Sequence, residues 1–589
     1  MTPRSRMIAM VVVGMTLLST VAAFADWPSD PAANLPVCVA AGNQTSVNLV
    51  TDLAGGSLIA WSDARPGVVD IYAQHVLASG AVDPAWPLNG APICTAAGTQ
   101  TVPAMASDGA RGAIVFWIDA RAGSLVNSDL YAQHLLANGT TDPAWPATGL
   151  PVCTSPGGNN TISLPVTDGA GGALIAWFDT SNDSGVFAMH VLASGTTDPA
   201  WPVNGLPICA PTHGPTGVVG ASDGQGGLLV SWTDFRAGAA SDIYCQRVQS
   251  NGAIAPGWPM NGAAVCTQPG SQTISSMAPD GSAGALLMWQ DTTAGTIDLH
   301  VQRIRSSGAL DPGWPATGRL VAGGPGDQSS GRLRSDGVGG FVAVWRDTRN
   351  AATTGQDLFA QRLSVSGVLD PAWPVGGLAV CTAAGTQQNR DLVPDGTGGV
   401  IVGWEDQRTG TMTTDVYAQH LLASGSVDPV WPTDGRGVSL ATAAQALPRI
   451  LADGSGGAIV AWQDNRAGTT NANVYAQRVQ ANGTLGGTVV GVAREPGARI
   501  ELDSVRPNPS RGDELRVLFS GAAEPGTELA LLDVAGRLVA SRGLDPLGAG
   551  AHEVRFDGAP HLAPGLYFVV LKIPDDTRSS RILRVVVLR

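Results

Sequence analysis

The chain has 589 residues, a formal net charge of −14, 44% hydrophobic and 14% charged residues, 76 Gly and 40 Pro. Its length implies two or more domains or one large repeat array, and its apolar content is enough to bury a core, which excludes intrinsic disorder. An acidic chain without basic runs, in which Lys572 is the only lysine, is a poor partner for nucleic acid or an anionic membrane.

The first 25 residues read as a signal peptide. Arg4 and Arg6 supply the charged start, "MIAMVVVGMTLL" the apolar core, and "AFA", ending at Ala25, the small-x-small cleavage pattern. The apolar run is short for a membrane span, and nothing later is apolar for long enough. The expectation is an exported protein at the outer cell surface or outside the cell, with no membrane span after signal removal. An uncleaved anchor is the alternative.

Residues 26–486 form a repeat, and the tryptophans reveal it. Trp61, Trp117, Trp177, Trp232, Trp289, Trp345, Trp404 and Trp462 each begin W-x-D. Trp27, Trp86, Trp145, Trp201, Trp258, Trp314, Trp373 and Trp431 each begin W-P. The spacing in both series is roughly 55 to 60 residues, near the upper end of propeller-type periods.

One unit predicts four strands. They are "PICTA" (92–96), "TVPAMAS" (101–107), "AIVFWID" (113–119) and "DLYAQHLLA" (129–137). Asp-Gly, Ser-Gly and Asn-Gly pairs separate them, as hairpins needing positive φ require. Strand-type residues dominate and no long 3.6-residue period appears. The predicted fold is therefore all-β. It is an eight-bladed β-propeller of four-stranded antiparallel blades, which buries both faces of each blade and leaves no long edge. Seven blades plus a stray unit, or an open β-solenoid, are the alternatives. Which strand closes the ring is left open.

The recurring W-x-D-x-R reads as bracing. The Asp recurs at Asp63, Asp119, Asp179, Asp234, Asp291, Asp347, Asp406 and Asp464, and the Arg at Arg65, Arg121, Arg236, Arg349, Arg408 and Arg466. Ser181 and Thr293 replace the Arg in two copies. A second acid follows at Asp70, Asp129, Asp242, Asp298, Asp357 and Asp415. The expectation is a guanidinium bridging two carboxylates, worth at most about 1 kcal/mol if exposed. The competing reading is a repeated ligand or Ca²⁺ site, which an Arg in its midst opposes. The tryptophans are expected to pack blade against blade rather than to stack on sugars.

Cys38, Cys94, Cys153, Cys209, Cys266 and Cys381 share one position, which Ala322 and Ser439 fill elsewhere. Such swaps suggest small buried side chains, with Cys245–Cys266 the one candidate disulfide. His75, His134, His190 and His420 alternate with Arg247, Arg303, Arg362 and Arg478 at one position, which suggests an outward cationic or hydrogen-bonding role. No zinc spacing, P-loop, Rossmann fingerprint or nucleophile elbow appears. No catalytic, cofactor-binding or metal-ligating residue is assigned, and no cofactor.

After a linker at 487–500, residues 501–589 change pattern and read as about seven short strands, a small Ig-like β-sandwich by size. "RPNPSRG" (506–512), "LLDVAGRLV" (531–539), "GAGAHEVRFDG" (548–558), "LAPGLYFVVL" (562–571) and the terminal "RILRVVVLR" carry a resemblance. They resemble the C-terminal sorting domains of bacterial type IX secretion cargo and the similar flagellar-hook-capping Ig-like domain. Pro507, Asn508, Pro509, Asp533, Gly536, Arg537, Pro564, Gly565 and Tyr567 are the matching motif residues. Such tails often end in lysines, whereas this one ends at Arg589. The resemblance implies export, with the secretion machinery as partner. The bare turn chemistry of these residues is the structural reading beside it.

The function expected from sequence is an exported, non-enzymatic scaffold for an unidentified glycan or protein ligand. The alternatives are a propeller-class glycosidase or polysaccharide lyase, and a structural envelope or matrix component. An enzyme of this class would break its own repeat. The departures visible in sequence are "DTSNDSGVFAMH" (179–190), "DTTAGTIDLHVQR" (291–303) and His213, and the loops at Ser181 and Thr293 are the expected special places.

Overall fold

The computed structural model describes residues 26–487, except 66, 124, 126–127, 155–158, 180–184, 210–213 and 412. It also describes residues 501–587, except 507–514, 521–526, 534–536, 545–550, 556–561, 563–564 and 573–581. The predicted signal peptide and linker therefore lie outside the described residues, apart from Gly487. The chain divides into two units after Val489.

The third strand of each repeat is the keystone of its sheet. Ala113–Asp119 is buried along its whole length, because it has a neighbour on each edge and a sheet on each face. That is why it reads as an unbroken apolar run rather than an alternating one. It pairs antiparallel with Gln100–Ser107 and with Asp129–Leu135, placing Trp117 opposite Tyr131 and Asp119 opposite Asp129. Asp129–Leu135 in turn pairs with Leu150–Cys153. The predicted strand at 113–119 has the observed limits, and its neighbours differ by only one or two residues at their ends.

Leu150–Cys153 belongs to the next repeat in the sequence. The repeat and the sheet are thus offset by one strand: each W-P unit lends its first strand to the outer edge of the preceding sheet. The same order recurs along the first unit in five four-stranded sheets. A five-stranded sheet has its inner edge split into Asn159–Ile162 and Val166–Thr167. An eight-stranded sheet joins two such groups through a short parallel pairing of Gly355 with Gly385 and Gln356 with Thr386.

The offset answers which strand closes the ring. Leu35–Cys38, near the start of the described chain, pairs with Asn473–Val479, the last strand of the repeat region. Gln477 donates from Nε2 to the Pro28 carbonyl across the same seam, 2.8 Å away. The inner strands Gln44–Thr51 and Gln445–Ala452 also lie against each other.

Two glycines explain themselves by close approach. A Cβ on Gly80 would lie 2.6 Å from Cγ of Trp27, and one on Gly90 would lie 2.6 Å from Cη2 of Trp61. Both have positive φ, so the Ser-Gly and Asn-Gly pairs serve the turn and the tryptophan seat together. All eight W-P indoles donate to a backbone carbonyl 48 to 51 residues further on, just past the fourth strand of their own repeat, as Trp86 does to Ala137.

The second unit has a three-stranded sheet of Glu501–Arg506, Arg516–Ser520 and Ala551–Arg555. Its four-stranded sheet runs in the order Leu538–Gly543, Glu528–Asp533, Gly565–Lys572, Ile582–Val587. Val517 of the first sheet and Leu529, Leu531 and Val569 of the second share one apolar cluster.

Candidate functional site

The W-x-D-x-R residues form a closed network at the end of the third strand. Residues two apart on a strand face the same side, so Trp117 Nε1 donates to Asp119 Oδ2 at 2.8 Å. Trp61, Trp232, Trp345, Trp404 and Trp462 do the same to Asp63, Asp234, Asp347, Asp406 and Asp464 at 2.7–2.9 Å. Arg121 closes a fork on the carboxylate, Nε to Oδ1 at 2.8 Å and Nη2 to Oδ2 at 2.6 Å. The same Nη2 reaches the Thr148 carbonyl at 2.8 Å, tying the strand end to the loop that leads to the outer strand. Arg65, Arg236, Arg349, Arg408 and Arg466 each pair with their own Asp at 2.5–2.7 Å. All six guanidiniums also cover a ring on the fourth strand, Arg121 lying 3.9 Å from the Tyr131 centroid.

Two expectations change here. The pairs are not exposed, because Asp119 and its counterparts at Asp63, Asp234, Asp347, Asp406 and Asp464 are fully buried. They belong to the regime where removing one partner is costly. The Arg also braces one carboxylate rather than two. Among the described residues Asp70 receives no guanidinium and its Oδ1 has no partner, and burial beside Asp63 pushes its carboxyl up to about 6. The W-x-D indoles are wholly buried and present no face to a sugar. In the copies with Ser181 and Thr293, the Nε1 atoms of Trp177 and Trp289 have no partner among the described residues. Asp179 and Asp291 are buried there all the same. Ser181 and His213 lie outside the described residues.

The His/Arg position does not face outward. His134 is buried and bonds Asp108 through Nε2 at 3.0 Å and Asp142 through Nδ1 at 2.9 Å. Asp108 caps the D-G-x-G-G turn by accepting from Ala110 and Gly112. Asp142 begins the turn into the W-P segment. His75, His190 and His420 make the same double contact, and Arg303 and Arg362 make it in the arginine copies. Burial opposes charge on His134, but its two carboxylate partners outweigh it and raise the imidazole above its usual range.

The cysteines at the shared position are buried, and Cys245 and Cys266 are free thiols, so the candidate disulfide is not formed. Burial pushes the thiol of Cys94 up to about 11 and that of Cys381 up to about 12. In the second unit, Asp533 and Arg537 pair at 2.7 Å across their hairpin, with Arg537 amide to Asp533 Oδ1 at 3.0 Å. Gly565 opens a strand and Tyr567 is buried in the core. Pro507, Asn508, Pro509, Gly536 and Pro564 lie outside the described residues.

Sequence reasoning missed the cavity enclosed by the inner strands. Each of these strands carries a register shift in its first half, such as Thr101/Ala104, Thr216/Val218 or Gln388/Asp391. Ser46, Val102, Gly217, Ser330, Asn389 and Leu447 have positive φ at this bulge. Five of the six are not glycine, so no local signal marks them. Beyond the bulge, the residue that pairs with the one before each W-x-D tryptophan stands at the cavity wall. It is Asn48, Ala104, Val219, Ser276, Arg332, Asp391 or Arg449. All seven line one space of about 380 Å³.

The repeat breaks at this position. Arg332, Asp391 and Arg449 come from consecutive repeats, where the earlier copies carry small or neutral side chains. Arg334 Nη2 lies 3.2 Å from Asp391 Oδ1, and Leu392 donates its amide to the same oxygen at 2.9 Å. Arg332 donates to the Ser275 carbonyl. Behind them Arg390 is 6% exposed, and its Nε has no partner among the described residues. Burial, with Arg332 and Arg346 beside it, pulls Arg390 down to about 9. Thr293 is not among the residues lining this space, and Ser181 lies outside the described residues. Among the described residues, no cluster of three or more His, Cys, Asp or Glu is arranged to hold a metal ion.

No family model matches the chain, and no curated protein matches its sequence. Solved structures do resemble it. One is a protein of unknown function from Dyadobacter fermentans, at 12% identity, 64% of this chain, 94% of that one and a TM-score of 0.32. Another is a Hadza microbial sialidase, at 12% identity, 55% of this chain, 66% of that one and a TM-score of 0.30. A third is a Bombyx mori GH32 beta-fructofuranosidase, at 10% identity, 65% of this chain, 88% of that one and a TM-score of 0.25.

The expectation of a non-enzymatic scaffold is corrected at this point. The similar structures include a sialidase, a fructofuranosidase, levansucrases, an endo-arabinase and an arabinofuranosidase. In the sequence the departures from the repeat look modest, whereas the cavity wall gathers Arg332, Arg334, Asp391 and Arg449 in one sector.

Proposed function

We propose that the first unit is an eight-bladed propeller that cleaves glycosidic bonds in a polysaccharide, with its site at the cavity wall around Asp391. The observation that carries this reading is the break in the repeat. One wall position holds a carboxylate between two guanidiniums, where other copies hold Asn48, Ala104 and Ser276. A carboxylate held by Arg334 and the Leu392 amide has a fixed orientation, which proton transfer to or from a glycosidic centre requires. Arg332, Arg334 and Arg449 supply positive charge where negative charge develops.

The chain's other parts fit an exported enzyme. We read residues 1–25 as a cleaved signal peptide, 26–486 as the propeller and 501–589 as an Ig-like sorting or anchoring domain for a secretion machinery. A polysaccharide too large to enter a cell is consistent with that placement.

The test is a turnover screen of the purified full chain against neutral and acidic polysaccharides, beside the Asp391→Asn variant. New chain ends that appear with the native chain and fall at least about 100-fold with Asp391→Asn support the reading. Equal turnover by both, or none on any substrate, overturns it.

A further inference from the structure

The protein as a whole carries a net charge of −14, yet three of the four charged residues lining this space are arginines. Arg332, Arg334 and Arg449 line the space with Asp391 as the only carboxylate among its lining residues. Arg346 and Arg390 stand behind, within electrostatic reach of one another. Arg390 is nine-tenths buried, its Nε has no partner among the described residues, and the positive Arg332 and Arg346 beside it are only partly offset by Asp391. Burial, only partly offset by Asp391 and reinforced by Arg334 and Arg449, lowers Arg332 as well. An excess of buried charge of one sign is costly, and an anion entering the space would relieve it.

On the glycan-cleaving reading above, we propose that the cavity takes a carboxylated polysaccharide, seating a uronate carboxylate among Arg332, Arg334 and Arg449 beside Asp391. A planar carboxylate suits the guanidinium fork. Neutralising it also acidifies the carbon–hydrogen bond next to it, so a single carboxylate base is enough for cleavage by elimination. Hydrolysis conventionally needs a second carboxyl group. In the elimination, Asp391 takes the proton from the carbon α to the uronate carboxylate. The electrons of that bond form a double bond to the β carbon while the β carbon–oxygen bond breaks. The protonated Asp391 carboxyl then returns its proton to the departing oxygen. Atoms and charge balance, and no oxidant or reductant is needed.

The experiment titrates the full chain with polygalacturonate, with the same polymer fully methyl-esterified, and with neutral xylan. Binding is measured by calorimetry and unsaturated ends by ultraviolet absorbance. Arg449→Gln is the main variant because Arg449 is exposed, so its loss leaves the fold intact; Arg332→Gln is the second. The expected result is binding of polygalacturonate at least about tenfold tighter than of its ester, lost about tenfold in each variant, with unsaturated ends formed by the native chain. Equal binding of acid and ester overturns the anionic site. Cleavage of xylan that Arg449→Gln leaves unchanged overturns it too, while the glycan-cleaving reading stands. Acid-selective binding that yields no new chain ends of any kind supports the anionic site and overturns the glycan-cleaving reading.

Discussion

Trp117 and Asp119 sit two residues apart on one strand, and the indole of the first is hydrogen-bonded to the buried carboxylate of the second at 2.8 Å. The carboxylate also takes the side chain and amide of Arg121. Three groups depend on one fully buried anion. Asp119→Ala is therefore expected to destabilise the first unit by about 3–5 kcal/mol, because it strands Arg121 and the indole together. Denaturant unfolding followed by tryptophan fluorescence checks this.

The copy that lacks the Arg offers the converse experiment. Thr293 follows Asp291, whose carboxylate accepts the Thr293 amide, while the Trp289 indole has no partner. Thr293→Arg rebuilds the six-fold repeated network and is expected to stabilise the chain by about 1 kcal/mol. A fall in the unfolding midpoint would show that the local backbone does not admit the fork.

His134 links stability to pH. Its folded value lies above the ordinary 6.5, so the stability it contributes is complete below that pH and is lost as the pH rises through the raised value. Burial works against ionised Asp108, but the His134 bond and two backbone amides hold it below 3.8, so its contribution is lost only as the pH falls through that lowered value. The clamp is expected to be strongest from about pH 4 to 6.5. Other copies use arginine in this place, so His134→Arg should remove the His134 share of the alkaline loss and leave the acid limb. Thermal unfolding from pH 4 to 9 distinguishes the two limbs.

Asp70 behaves in the opposite way to a bridged acid. Its carboxyl is raised to about 6 by burial and by Asp63, with Arg65 only partly offsetting them. The stability it contributes is complete below 3.8 and is lost as the pH rises through about 6. Asp70→Asn should raise stability by about 1 kcal/mol at pH 7.5 and change nothing at pH 3.5. An unchanged midpoint at pH 7.5 would mean that water reaches the carboxylate.

The seam makes a further prediction. Leu35–Cys38 is the outer strand of the last sheet, and Gln477 bonds Pro28 beside it. Removing residues 26–38 leaves Asn473–Val479 with an open edge. The shortened chain is expected to lose its single cooperative transition and to self-associate, which light scattering during thermal unfolding detects.

Much of the fold was legible because packing imposes period. Buried central strands gave continuous apolar runs, hairpins needed Asp-Gly and Ser-Gly, and tryptophan seats needed glycine. The offset between repeat and sheet was not legible, since a strand's sequence is the same whichever neighbour it joins. The outward reading of His75 and His134 failed because their partners, such as Asp52 and Asp108, sit in a turn that glycine alone seemed to explain. The cavity residues Arg332, Asp391 and Arg449 were hidden for another reason. A bulge at a non-glycine residue changes which side chain faces inward, and a period-2 reading of the strand points them elsewhere.

Because each repeat lends its opening strand to the one before it, every junction in the ring is the same joint, and no repeat is complete alone. A recombination event that duplicates or deletes one period would leave every joint intact, including the seam between Leu35–Cys38 and Asn473–Val479. The lineage of such a chain can change the number of its members by whole steps, while single-residue change at the wall is free to give one sector of the ring a chemistry that the others lack.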